Sequence, residues 1–123
     1  MADPKRIFFV EDDFDFSHLL KQQLTSLGHE VCGSASNASE AIAGIKKWNP
    51  DMVLLDMELH GSYEGIAIGH FLIHKTDIPF IYVTAHDEKH ILDQARETMP
   101  DGFLLKPFSS RQLNSAIEMA HRF

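Results

Sequence analysis

Met52-Val53-Leu54-Leu55-Asp56 is four apolar residues followed by an acid. So short and continuous an apolar run reads as a strand buried on both faces, spanning residues 52–56 with Asp56 at its tip. The figure recurs along the chain. Ile7-Phe8-Phe9-Val10 leads into Glu11 and Asp12, Phe80-Ile81-Tyr82-Val83 into Thr84, and Phe103-Leu104-Leu105 into Lys106-Pro107. In an open parallel α/β sheet, ligands bind at the carboxyl ends of the strands. Four strands would therefore deliver acids, a hydroxyl and an amine to one pocket.

Helical patterns fill the intervals. Phe16, Leu19, Leu20, Leu24 and Leu27 share a face that stops at Gly28. A weaker strand over 30–35 follows. Asn37 or Ser39 caps the next helix, whose apolar face carries Ala41, Ile42, Ile45 and Trp48. Asn49-Pro50-Asp51 is a turn. A loop with Gly61 and Gly65 leads to a helix with Ile66, Ile68, Phe71 and Leu72 inside. Pro79 opens a strand over 79–84, and a thinly apolar helix covers about 87–98 with Ile91, Leu92 and Ala95 inward. After a strand over 102–105, Ser109 or Ser110 caps a last helix carrying Leu113, Ala116, Ile117 and Ala120. Five βα units with short connections and right-handed crossovers make an α/β fold: a five-stranded parallel sheet, doubly wound, with five helices. The whole chain, 1–123, reads as one domain.

Composition narrows the function. Net charge is −7, from 11 basic and 18 acidic residues, which argues against direct nucleic-acid binding. No apolar run approaches the ~18 residues of a membrane helix. The one cysteine, Cys32, allows no internal disulfide, fits a reducing compartment, and reads as a small buried apolar side chain.

The tips themselves imply chemistry. Two carboxylates ~4 Å apart repel by about 4 kcal/mol at an effective dielectric near 20, so the acids need a counter-charge. Mg²⁺, or Mn²⁺, takes oxygen ligands and pairs carboxylates with a phosphate. Asp56 can act as a nucleophile toward phosphorus. Lys106 supplies a point positive charge and Thr84 a hydroxyl donor. Pro107 restricts Lys106 to extended backbone; their peptide bond can be cis or trans, with trans the commoner form. The pairs His70/His74 and His86/His90 have the i,i+4 spacing of metal ligands, but neither has an evident third ligand. They read as solvated helix faces, as does His18. Trp48 and Phe71 read as core, and Gly61 and Gly65 as loop geometry next to Asp56 rather than a phosphate-binding glycine loop.

Phe9-Val10-Glu11-Asp12-Asp13, Val53-Leu54-Leu55-Asp56-Met57, Tyr82-Val83-Thr84-Ala85 and Leu104-Leu105-Lys106-Pro107-Phe108 together resemble the receiver domain of bacterial two-component response regulators, over about residues 6–121. The resemblance implies a flavodoxin-like fold with strand order 2-1-3-4-5, and a cytoplasmic phosphoacceptor rather than a turnover enzyme. It assigns Asp56 as phosphoacceptor. It assigns Glu11, Asp12, Asp56 and the backbone carbonyl of Glu58 as Mg²⁺ ligands. Thr84 and Phe103 become the switch pair, Lys106 the catalytic lysine, and Glu58 and His86 the tuners of dephosphorylation. The implied partners are a histidine kinase or phosphotransfer protein, a downstream output domain or protein, and a homodimer mate on the face of the fourth helix, fifth strand and fifth helix. Phe103 lacks the hydroxyl of a tyrosine switch. The segment 78–85 is similar to receivers attached to sensory kinases with PAS modules; the chain fits either a free-standing receiver or a piece of a longer regulator. Haloacid-dehalogenase-type phosphatases share the Asp, Thr, Lys and Mg²⁺ set, but place the nucleophile on their first functional strand. A flavin carrier would need a phosphate-cradling loop where this chain has three acids.

Overall fold

A computed structural model of the chain describes residues 3–85 and 89–120. The strands are β1 (Arg6–Val10), β2 (Glu30–Ala35), β3 (Met52–Leu55), β4 (Phe80–Thr84) and β5 (Gly102–Leu105). The helices are α1 (Phe14–Ser26), α2 (Ala38–Trp48), α3 (Glu64–Lys75), α4 (Lys89–Arg96) and α5 (Ser110–Met119). All strand pairs are parallel, in the order β2-β1-β3-β4-β5.

Strand alternation divides the core in two. Phe8, Val10, Val53, Leu55, Phe80 and Tyr82 point to the side covered by α2, α3 and α4, against Ala41, Ile45, Ile68, Leu72, Ile91 and Ala95. Ile7, Phe9, Met52, Leu54, Ile81, Val83 and Leu104 point the other way, against Leu20 and Leu24 of α1 and Leu113 and Ile117 of α5. Side chains on successive strand residues face opposite sides, so a run buried on both must be apolar throughout. That is why β3 is apolar throughout and β1 is apolar from Ile7 to Val10.

Side-chain caps set the starts of α1, α2 and α5, whereas Tyr63 before α3 makes no side-chain cap bond. Asp13 accepts from the Phe16 N–H, Asn37 from Glu40, and Ser109 forms a reciprocal capping box with Gln112. Asn37 and Ser109 are thus chosen over Ser39 and Ser110. α4 ends at Arg96, short of the expected 98, because Thr98 turns inward to donate to the Ala95 carbonyl. Its expected first residues, 87 and 88, lie outside the described residues. The Lys106–Pro107 peptide is cis, against the commoner form.

Two expected core residues are at the surface. Leu19 is 49% exposed, because the buried stripe of α1 runs through Leu20 and Leu24 and Leu19 falls beside it. Trp48 is 42% exposed: as the last residue of α2 it lies over the β2 edge near Gly33, with the Lys47 ammonium 5.0 Å above its ring. Cys32 is only partly buried. Gly65 is not in a loop; it lies in the first turn of α3 and is buried.

Candidate functional site

Each strand tip is fixed by a backbone bond to its neighbour. The Glu11 N–H donates to the Ala35 carbonyl, Asp56 to Val10, and Lys106 to Thr84. These bonds bring residues distant in sequence to one rim of the sheet. There the Lys106 Nζ donates to Glu11 Oε1 at 2.5 Å and to Asp56 Oδ2 at 3.1 Å. Glu11 Oε2 accepts from the Asp13 N–H, and Asp56 Oδ1 from the Glu58 N–H, both within one turn of chain. Glu11, Asp12 and Asp56 each offer a carboxylate oxygen, all within 4.8 Å of one another. With Asp13, Glu58, Gly61, Ala85 and Lys106 they line a cavity of about 230 Å³.

Size does not point to chemistry here. A cleft of about 770 Å³ lies between the ends of α2 and α3, beside Lys46, Phe71 and Lys75. It opens at the amino ends of β3 and β4, opposite the acids, and contains none of the strand-tip residues.

The electrostatics follow from burial. Glu11 is 6% exposed, and its carboxyl is pushed up from 4.5 to about 7. Desolvation is the main cause and the Asp56 charge adds to it; hydrogen bonds from Lys106 and Asp13 offset part. For Lys106, burial would lower the pKa, but the Glu11 hydrogen bond and the Asp56 charge outweigh it and the net shift is upward. The ammonium therefore stays charged, and burial works against the ionisation of Glu11. At Asp12 burial again pushes upward, but the His60 N–H, 2.8 Å from Oδ2, leads the bonds that bring the carboxyl below its ordinary value. Asp12 is thus ionised and oriented. Three oxygen donors this close suit a hard divalent cation, which would relieve the Glu11–Asp56 repulsion.

The other candidates are placed as follows. Glu58 lines the cavity. Thr84 is 1% exposed at the end of β4 and is not among the described lining residues, whereas Ala85 is. Phe103 is 37% exposed on β5 and stacks on Tyr82, centroids 5.5 Å apart. His86 lies outside the described residues. The His70 and His74 rings stack 6.0 Å apart on the exposed side of α3.

The roles of three contributors were not read from the sequence. Asp13, one of three acids in a row, is the helix cap. Phe16 places its ring 4.1 Å from the Lys106 ammonium and packs edge-on against Phe108, so one face of the lysine is aromatic. Gly65 is the third. A Cβ there would lie 1.8 Å from the Asp56 carbonyl oxygen, so only glycine lets α3 approach the residue that ends β3. Its place next to Asp56 was read from the sequence; its place in the first turn of α3, against the Asp56 carbonyl, depends on the path of residues 57–64, which periodicity does not describe.

Fold and site together define a receiver. A family model described as the response regulator receiver domain matches residues 7–118, and the chain belongs to that family. Among its relatives, the transcriptional regulatory protein PdtaR of Mycobacterium tuberculosis is 29% identical over 97% of this chain and 58% of that protein. The phosphate regulon transcriptional regulatory protein PhoB of Pseudomonas aeruginosa is 33% identical over 96% of this chain and 52% of that protein. The signal receiver domain of a modulated diguanylate cyclase from Desulfovibrio desulfuricans G20 superposes with a TM-score of 0.88 at 31% identity, covering 95% of this chain and 93% of that one. The chain spans about half the length of the curated relatives it matches.

Proposed function

We propose that this chain, as a single domain over 1–123, is the phosphoacceptor of a two-component phosphorelay, with Asp56 taking the phosphoryl group. The observation that carries the reading is the Lys106 ammonium bonded to both Asp56 and Glu11 beside a three-carboxylate cluster. The donor is the phosphohistidine of a histidine kinase or phosphotransfer protein. An Asp56 carboxylate oxygen forms the new P–O bond as the N–P bond breaks, and the electron pair stays on the donor's ring nitrogen. Glu11, Asp12, Asp56 and the Glu58 carbonyl hold Mg²⁺ or Mn²⁺, which when bound neutralises charge on the phosphoryl oxygens. Lys106 adds a second, permanent counter-charge, kept from water on one side by Phe16. The pocket positions and neutralises.

The phosphorylated aspartate carries roughly −1.5 to −2 charge and new acceptor oxygens. The Thr84 hydroxyl bonds one of them, and Phe103 moves inward from its half-exposed place on β5. The α4–β5–α5 face changes and is read by an output domain, a separate protein or a second copy of the chain. Glu58 and His86 tune the phosphoryl lifetime. The domain acts in the cytoplasm; no described helix is long and apolar enough to cross a membrane.

Incubation with acetyl phosphate and Mg²⁺ should add one acid-labile phosphoryl group, and Asp56→Asn should abolish it. Unchanged labelling of Asp56→Asn would overturn the assignment. Steady hydrolysis of a generic phosphate ester would favour the phosphatase reading instead. Glu58→Ala and His86→Ala should each alter the phosphoryl half-life.

A further inference from the structure

The β3–α3 connection contains a miniature hairpin that touches the acidic cluster. The Leu59 N–H donates to the Ser62 carbonyl and the Ser62 N–H to the Leu59 carbonyl, at 2.8 and 3.1 Å. The two residues between them, His60 and Gly61, both have positive φ, +53° and +77°. A two-residue hairpin with both centres in that region is the type I′ arrangement. Its first central N–H points out of the turn and donates to Asp12 Oδ2 at 2.8 Å, across 48 residues of sequence. The imidazole adds little: its Nδ1 lies 3.8 Å from the same oxygen, and the ring is mostly exposed.

We propose that this turn is a clamp that pre-orients Asp12 for a divalent cation, with His60 the positioning residue acting through its backbone N–H. The inference rests on the metal reading above. Asp12 is the cluster member on the solvent side, and the other two are buried. Glu11 and Asp56 are each held by Lys106, whereas Asp12 has no lysine bond among the described residues. The His60 N–H does that work from the other wall of the cavity. An acid already ordered loses less rotamer freedom on ligation, so affinity depends on the turn keeping its positive φ values.

The test separates backbone from side chain. His60→Asn tolerates positive φ and keeps the N–H; His60→Val keeps the N–H but strongly disfavours the conformation. Gly61→Ala perturbs the turn from the next position, where an added Cβ meets nothing within 4 Å, so any effect comes through φ. Mg²⁺ alone is titrated into each protein and followed by the amide signals of Glu11, Asp12 and Asp56. His60→Val and Gly61→Ala should raise the Kd by on the order of tenfold, the worth of one bond to a charged acceptor. His60→Asn should stay within about twofold of the parent. Without metal, the His60 amide should exchange slowly in the parent and faster in Gly61→Ala. If every variant binds like the parent, the clamp is wrong and the metal reading stands. Equal weakening of Asn and Val would move the role to the imidazole and overturn the backbone argument. A parent that does not bind Mg²⁺ would remove both. Should His60→Val fail to fold, Gly61→Ala against His60→Asn decides the matter.

Discussion

Glu11 sits between an ammonium and a second carboxylate, and its raised pKa has a definite sign in both stability and binding. The folded state holds this proton up to about pH 7, whereas the unfolded chain releases it near 4.5. Folding therefore takes up a proton between those values, and the stability contributed by Glu11 is full below 4.5 and lost as pH rises through 7. His29 works the other way: burial, then the Lys5 charge, holds its imidazole below 6.5, so its contribution is lost as pH falls through and below that value. Comparison with Glu11→Gln isolates the first effect. In metal-free urea unfolding, the parent should lose stability relative to Glu11→Gln between about pH 5 and pH 8. If Glu11 ligates Mg²⁺ as proposed, the ion displaces the same proton, and its affinity should fall up to about tenfold per unit below pH 7, measured by calorimetry at pH 6 and 8. Gly65 gives a steric counterpart. Gly65→Ala forces a Cβ to 1.8 Å from the Asp56 carbonyl oxygen. It should cost roughly 2–3 kcal/mol in urea unfolding and reduce acetyl phosphate labelling together with stability. These residue-scale details lie beyond the reach of pattern. Glu11, Asp12, Asp56 and Lys106 were legible as neighbours at one rim because strand ends are marked by a change from apolar to polar; Thr84 was legible as the end of β4 but is not among the described cavity-lining residues. Gly65 was placed beside Asp56 but in a loop rather than a helix, and the contacts of Phe16 and His60 were not legible, because their partners come from loops and a helix whose rotation about the sheet follows from packing.

Several elements meet at Tyr82 of β4. The Tyr82 hydroxyl shares a 2.7 Å hydrogen bond with Thr98 Oγ1, just past the end of α4, and its ring stacks on Phe103. On its other side α3 approaches so closely that a Cβ on Gly69 would lie 2.1 Å from that hydroxyl. One side chain thus ties α3, the end of α4 and β5 together, and its pKa, raised to about 12 mainly by burial, keeps it neutral. Tyr82→Phe should cost about 1 kcal/mol, leaving Thr98 its bond to Ala95. Gly69→Ala should cost more in the parent than in a Tyr82→Phe background, because the phenylalanine removes the clashing atom. A double-mutant cycle in thermal unfolding measures the difference. Element boundaries were readable wherever a cap or glycine stood alone, as at Gly28. They were ambiguous where two candidates competed, as at Asn37 and Ser39, until geometry chose the one whose side chain reaches the third helical N–H. Leu19 shows the limit of periodicity: a helix with a broad apolar stripe does not reveal which edge of it faces the sheet.

At the scale of the molecule, βα alternation was enough to specify a parallel, doubly wound sheet, while the strand order came through family resemblance and is the one observed. Spacing alone does not order strands, because helical crossovers of similar length can skip a neighbour. The proposed output face shows apolar surface on its edge strand: Phe103 is 37% and Leu105 52% exposed, with Met99 nearby in sequence at 69%. If a second copy reads this face, beryllofluoride with Mg²⁺ should raise the sedimentation coefficient toward that of a dimer, and Leu105→Glu should keep it monomeric without preventing loading of Asp56. The bonds at the rim also have a consequence for synthesis. Lys106 joins a glutamate 95 positions earlier and an aspartate 50 positions earlier. A polypeptide still on the ribosome, extended past Asp56 but lacking residue 106, has both acids but not the cation that holds them together. Messages ended early, and fragments clipped between residues 56 and 105, would thus carry two facing carboxylates with no ammonium between them.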